Sequence, residues 1–245
     1  MIVQVLAYTK TKPYPLHTIM PAREVLHEDG YIDHLDYPTD PDTLSEFAGR
    51  ACYQSFNRPR PETASNVGYL ANILRQGHES VLEHASVTFY IESVSRSLSH
   101  ELVRHRHLSF SQLSQRYVDE SEADFVMPPA VAHGMAWEAE KSFSQATRTA
   151  QIAYQAIVDV LVGQGLPRKQ AREAARSVLP NATETKLVVT GNLRAWRDVL
   201  RKRWHVAADA EIRALAGEIL RHLREIAPAS VQDIPDMPYG TKEAA

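Results

Sequence analysis

Val87, Phe89 and Ile91 alternate with Ser86, Thr88 and Tyr90, in a chain whose longer apolar runs recur at helical spacing. Strict alternation reads as a half-buried strand, because successive side chains of an extended chain point to opposite faces. The apolar residues at 2–8 and the segment Lys186–Thr190 read as further strands. Helices are predicted around them. One begins near Asp42, with Thr43 as cap and Leu44, Phe47 and Ala48 at helical spacing. Another covers Ala64–Gln76, with Val67, Leu70, Ala71 and Leu74 on one face and Gly77 as its stop. Ser95–His107, Trp137–Leu161 and the basic stretch Arg168–Leu179 follow, the last stopped at Pro180. Asn192 can cap a helix carrying Leu193, Trp196, Val199 and Leu200 inward, and a final helix holds Ile212, Leu215, Ile219, Leu223 and Ile226. Residues 13–41 lack any sustained period and read as irregular, 119–135 as loop, and 228–245 as an extended tail. Without a repeat or a linker, residues 1–245 read as one α+β domain.

The only cysteine, Cys52, excludes an intrachain disulfide, and its small, apolar neighbours suit a buried structural thiol. The N-terminal residues do not have the build of a signal peptide, and no apolar run approaches the ~20 residues that span a bilayer. A cytoplasmic protein with no membrane partner is the expectation. The formal charge of −3 gives no global pull toward nucleic acid, so any basic site has to be local.

One segment is strongly basic. Residues 100–117 hold three arginines, three histidines and three serines. Such density repels itself unless solvent screens it or an anion sits there. A solvated helix end explains Arg104 and Arg106, but not the interleaved histidines or the Ser/Gln/Arg run that follows. Zinc is disfavoured: His100 and His105 are five positions apart, about 140° around a helix, and do not share one ion. No metal is expected. Nucleic-acid binding is disfavoured by the shortness of the patch and the net charge. A phosphate and cofactor site accounts for the whole stretch, with guanidiniums for bidentate bonds and Ser, Gln and loop N–H groups completing the cradle as the helix gives way to loop at Leu108.

Arg104-His105-Arg106 followed after seven residues by Ser114 resembles the Arg-His-Arg-x7-Ser motif of the flavin-dependent thymidylate synthases (ThyX). The resemblance extends in order through Phe47–Ser55, His78–His84, Ala175–Pro180, Thr190–Asn192 and on to Arg203. It implies a central, mostly antiparallel sheet flanked by long helices, forming a single catalytic domain. It also implies reductive methylation of dUMP to dTMP, with FAD as cofactor, NADPH as reductant and 5,10-methylenetetrahydrofolate as carbon donor. Arg104, His105 and Arg106 resemble the flavin-binding triplet, and Ser80, Glu83 and Asn192 match flavin-contacting positions. Gln112, Ser114, Gln115, Arg116 and Arg176 match positions that hold dUMP. Arg203 matches the arginine at the uracil carbonyls, the catalytic position, and His78 the histidine at the folate and nicotinamide entrance. Homotetramers with shared active sites are the family's assembly.

Plainer readings stand beside these. Glu83 and His84 also read as a helix-end pair, and Asn192 as an N-cap whatever else it touches. Ser114 has no base placed for it, so a nucleotide contact suits it better than nucleophilic work. The family's usual His four residues after Arg203 is Ala207 here. His205 is nearby, though two residues of helix separate the positions by about 160°. The rival functions are a flavin- or nucleotide-binding regulator without methylation activity and an RNA-binding module.

Overall fold

The computed structural model describes residues 1–12, 39–56, 60–132 and 137–242. Of the stretch 13–41 expected to be irregular, 13–38 lies outside the described residues, while Asp40 and Pro41 already open a helix with Thr39 at its N-cap. Strands β1 (Ile2–Tyr8), β2 (Ser86–Ser95), β3 (Ser109–Gln112) and β4 (Glu184–Asn192) form an antiparallel sheet in the order β1-β2-β4-β3. With the helices, this makes the fold α+β. Two compact units are distinguished. The first comprises Met1–Gln4, Tyr90–Val189 and Asp209–Leu215; the second comprises Val5–Phe89, Thr190–Ala208 and Ala216–Ala245.

β2 keeps the predicted alternation, burying Val87, Phe89 and Ile91 completely, and then shifts phase to bury Val94 and Ser95. The shift falls at Ser93, whose φ of +56° inserts one residue as a bulge. In the first unit, α3 (Arg96–Leu102) is capped by the Ser95 hydroxyl, which accepts from Leu98 N–H at 3.0 Å. This helix is much shorter than the expected Ser95–His107. α4 (Pro129–Ala132) is a single turn. α5 (Trp137–Gly163) buries Tyr154 and Val158 against Ala171 and Ala175 of α6 (Arg168–Ala175). Gly165, at φ +90°, turns the chain away at the end of the long helix. A 3₁₀ turn, Arg176–Val178, then continues α6 to Leu179.

In the second unit, α1 (Asp40–Tyr53) departs most from expectation. Its buried face is Pro41, Asp42, Ser45, Glu46, Gly49 and Arg50, while Leu44, Phe47 and Ala48 are only half-buried. Every charge on that face is satisfied. Glu46 accepts from Arg50 Nε at 2.8 Å and from Asn66 at 2.8 Å, and Arg50 stacks 4.4 Å from the Tyr69 ring centroid. Cys52 is on the other side of this helix and is exposed, which overturns the expectation of a buried thiol. In α2 (Asn66–Arg75), Ser65 is the cap and the buried residues are Asn66, Tyr69, Leu70 and Ile73. Val67, expected inside, is 56% exposed, because the inward face is rotated toward the polar network of α1.

α7 (Leu193–Arg203) buries Leu193, Trp196, Val199 and Leu200 as predicted. Trp196 donates to the Val87 carbonyl at 3.1 Å and meets Phe89 edge-on at 5.1 Å. α8 (Ala210–Ile226) buries Ile212, Leu215, Ile219, Leu223 and Ile226. The segment after Pro228 does not run extended. It turns through a 3₁₀ stretch, Pro228–Ser230, and buries Ala229, Ser230, Val231 and Ile234. The Asp42 carboxylate fixes that turn, accepting from the N–H groups of Ala229 and Ser230 at 2.9 and 3.0 Å and from the Ser230 hydroxyl at 2.6 Å. No helix among the described residues is long and apolar enough to cross a membrane.

Candidate active site

In the first unit, the basic segment is not helical. α3 ends at Leu102, and the chain tightens through bonds from Arg104 N to Glu101 O (3.3 Å), His105 N to Leu102 O (3.1 Å) and Leu108 N to His105 O (3.2 Å). The turn buries His105 and leaves Arg104 and Arg106 exposed on either side of it. The expected loop at Leu108 is instead strand β3, and Leu113 N–H bonds the Lys186 carbonyl at 2.9 Å.

Gln112 donates to the Ser99 hydroxyl and the Thr185 hydroxyl, both at 3.1 Å, so its amide nitrogen is committed within the protein. Ser114 starts a turn whose carbonyl accepts from Tyr117 and Val118 at 3.1 and 3.0 Å. Gln115 is buried and Arg116 half-buried on that turn. Tyr117 is exposed between Arg116 and Lys169, whose charged groups lie 5.8 and 4.9 Å from its ring centroid. The Lys169 hydrogen bond and charge hold the phenol below its ordinary pKa. Arg172 clamps the same turn, donating to Tyr117 O at 2.8 Å and to Asp119 at 2.6 Å.

Arg176, exposed at the start of its 3₁₀ turn, is within electrostatic reach of Arg96 at the start of α3. Burial lowers the pKa of Arg96; the charge of Glu120 opposes this and that of Arg176 adds to it. Glu120 is 4% exposed and is pushed up to about 7 by burial, against the pull of Arg96. Arg96 and Glu120 were absent from the expected site, because a single charge at a helix start or in a loop carries no spacing signal.

In the second unit, Gly77, at φ +70°, ends the turn after α2 and delivers His78, which is exposed. The 3₁₀ stretch Glu79–Glu83 follows, with Ser80 and Glu83 exposed and Glu79 buried. Glu83 pairs with Arg194 rather than with His84. Asn192 is the N-cap of α7: its Oδ1 accepts from Ala195 N–H at 2.8 Å, which leaves its two amide hydrogens without a partner among the described residues. Arg203 is the last residue of α7, so the helix carries expected site residues at both ends. The helix is over before His205. Trp204 is the C-cap, and Ala207 N–H donates to His205 Nδ1 at 3.0 Å, so the rotation expected between positions 205 and 207 of a continuous helix does not apply.

Each unit, taken by itself, offers donors: the first suits an anionic ligand and the second the polar edge of a planar one. Among the described residues, Arg104, Arg106, Arg116 and Arg176 form no ion pair, whereas Arg50, Arg172, Arg194, Arg197 and Arg201 all do. Unpaired guanidiniums offer bidentate bonds to phosphate, and a free amide matches the polar edge of a heteroaromatic ring.

Comparison with known proteins agrees with this chemistry. Residues 34–229 match the family described as Thymidylate synthase complementing protein. A probable flavin-dependent thymidylate synthase of Mycobacterium phage D29 is 57% identical over 212 residues, covering 85% of this chain and 90% of that one. The flavin-dependent thymidylate synthase of Mycobacteroides abscessus is 50% identical over 222 residues, 86% of this chain and 88% of its own. That of Mycobacterium tuberculosis is 52% identical over 211 residues, 81% and 83% of the two chains. With the motif carried on an exposed turn, a match over most of the chain and these relatives, the protein belongs to the flavin-dependent thymidylate synthase family and is a thymidylate-forming enzyme with a flavin cofactor.

Proposed function

We propose that the protein converts dUMP to dTMP by reductive methylation, with FAD as its flavin, NADPH as reductant and 5,10-methylenetetrahydrofolate as one-carbon donor. The observation that carries this reading is the set Arg104, Arg106, Arg116 and Arg176, which meets no carboxylate among the described residues of a chain with net charge −3. In this reading Arg104, His105, Arg106, Ser80, Glu83 and Asn192 hold the flavin. Bound there and reduced by NADPH, it supplies the hydride that completes the methyl group. Gln112, Ser114, Gln115, Arg116 and Arg176 hold the nucleotide, the guanidiniums taking its phosphate. Arg203 polarises the uracil carbonyls and favours the negative charge that develops as C5 reacts. His78 borders the entry for folate and nicotinamide. The chain's own work is electrostatic and positional.

Homotetramers in the cytoplasm are part of the proposal, with subunits sharing active sites so that Arg104–Arg106, His78 and Arg176 converge from different chains.

Purified protein incubated with dUMP, methylenetetrahydrofolate and NADPH forms dTMP, detected by chromatography, only when FAD is present. Absence of product with both FAD and dUMP bound would favour a flavin- and nucleotide-binding regulator. The feature that favours that second reading is Ala207 at the usual histidine position. NADPH oxidation that depends on dUMP separates the two.

A further inference from the structure

We propose that Arg197 and Asp233 are positioning residues for the flavin site, holding the segment His78–Glu83 in register with α7 through the carboxylate of Glu79. The inference rests on the flavin reading of Ser80, Glu83 and Asn192 given above. It concerns residues that neither the motif nor the match to relatives singles out.

Arg197 sits in the middle of α7, with its side chain 0% exposed. It grips Asp233 with two prongs at 2.6 and 2.7 Å, donates to the Ser230 carbonyl at 2.7 Å and reaches Glu79 at 3.3 Å. Arg201, one turn on, holds the same Glu79 through both of its oxygens, one at 3.0 Å. Glu79 is thus the buried residue between His78 and Ser80, and its carboxylate is tied to two arginines of the helix that has Asn192 at one end and Arg203 at the other. Burial alone would raise the pKa of Glu79, but the Arg201 and Arg197 contacts hold it below the ordinary value.

The C-terminal segment closes the clamp along the length of α7. Pro235 O accepts from Trp204 Nε1 at 3.0 Å. Tyr239 pairs with the chain just beyond the helix, through bonds to Trp204 O and from Val206 N, each 2.9 Å. At the other side of the segment, Asp42 fixes Ala229 and Ser230. With Arg197 and Glu79 buried but Asp233 and Arg201 at the surface, this ion network adds little net stability, because desolvation of the buried charges and solvent screening of the exposed ones offset the attraction. What it supplies is a unique register. A slide of the 78–83 segment along α7 would leave Arg197 buried and unpaired, so Ser80, Glu83 and the cap Asn192 stay in a fixed relation.

The test compares wild type with Asp233→Asn and with the double variant Arg197→Met, Asp233→Leu. The double variant replaces the ion pair by apolar volume and should keep its fold. Measured are thermal midpoint, FAD affinity from flavin fluorescence, dUMP affinity, and kcat with KM for dUMP. We expect FAD affinity and kcat to fall about tenfold or more in both variants, with dUMP affinity and KM within about twofold. The double variant should melt close to wild type. FAD affinity and kcat within about twofold of wild type in the folded double variant would overturn the inference, leaving a purely structural network. Wild type that binds FAD but forms no dTMP would remove the methylation reading alone, and the FAD comparison would still decide the positioning role. Wild type that binds no FAD would remove both.

Discussion

Ser93 holds its backbone at φ +56° in the body of β2, a conformation that costs an L-residue with a side chain roughly 1 kcal/mol and that glycine adopts freely. The bulge is held by Glu184, which accepts from Ser93 N–H at 3.2 Å. Ser93→Gly should therefore be neutral to slightly stabilising. Ser93→Val should lose roughly 1–2 kcal/mol in urea unfolding, since β-branching is least tolerated at positive φ. Equal stability of the two variants would remove the bulge as the cause of the phase shift in burial. At the same scale, Arg176→Ala should weaken dUMP binding by about tenfold or more while leaving the thermal midpoint within about 2 °C, because the side chain is exposed and pairs with no carboxylate. Calorimetric titration of dUMP checks it, and unchanged affinity would take Arg176 out of the site. The basic cluster Arg104–Arg106 was legible in the sequence as charge density and motif, but it was expected on a helix over Ser95–His107 and lies on a turn. The approach of Arg96 to Arg176 was not legible, because it depends on where two remote elements end.

At the scale of elements, α7 concentrates the proposed chemistry, and its N-cap separates two roles that one side chain performs. Asn192 Oδ1 caps the helix through Ala195 N–H, while its amide hydrogens remain available for flavin. Asn192→Ala should cost about 1 kcal/mol of stability through loss of the cap. Asn192→Asp keeps a capping oxygen but has no amide donor, so it should retain stability and lose FAD affinity. An Asp variant with full FAD affinity would reduce Asn192 to a cap. The helices with apolar stripes, α7 and α8, were readable because burial there follows hydrophobicity at 3.6-residue spacing. α1 was not, since its inward face is Asp42, Ser45, Glu46 and Arg50, a polar network visible only once Asn66, Thr63 and Ser230 supply the partners. The same network explains why Cys52 and the 228–234 segment departed from expectation.

For the molecule as a whole, Glu79 and Asp233 set one pH slope and Glu120 the opposite one. Burial would raise Glu79 and Asp233, but hydrogen bonds and charges from Arg201 and Arg197 hold both below ordinary values. Their contribution to stability is present at neutral pH and is lost as pH falls through their folded-state values. Glu120 has the other sign. It is 4% exposed, its Oε1 meets no hydrogen-bond donor among the described residues, and its pKa is pushed from 4.5 to about 7. Below pH 4.5 it is protonated in both folded and unfolded chains. As pH rises toward 7 the unfolded chain ionises first, so stability is lost over that interval and the loss levels off above it. Glu120→Gln removes this titration while keeping the shape. Its stability relative to wild type should therefore improve by about 2 kcal/mol between pH 5 and pH 8, as read from urea midpoints at the two values. A difference between variant and wild type that does not change with pH would mean that Glu120 is solvated and titrates as in the unfolded chain.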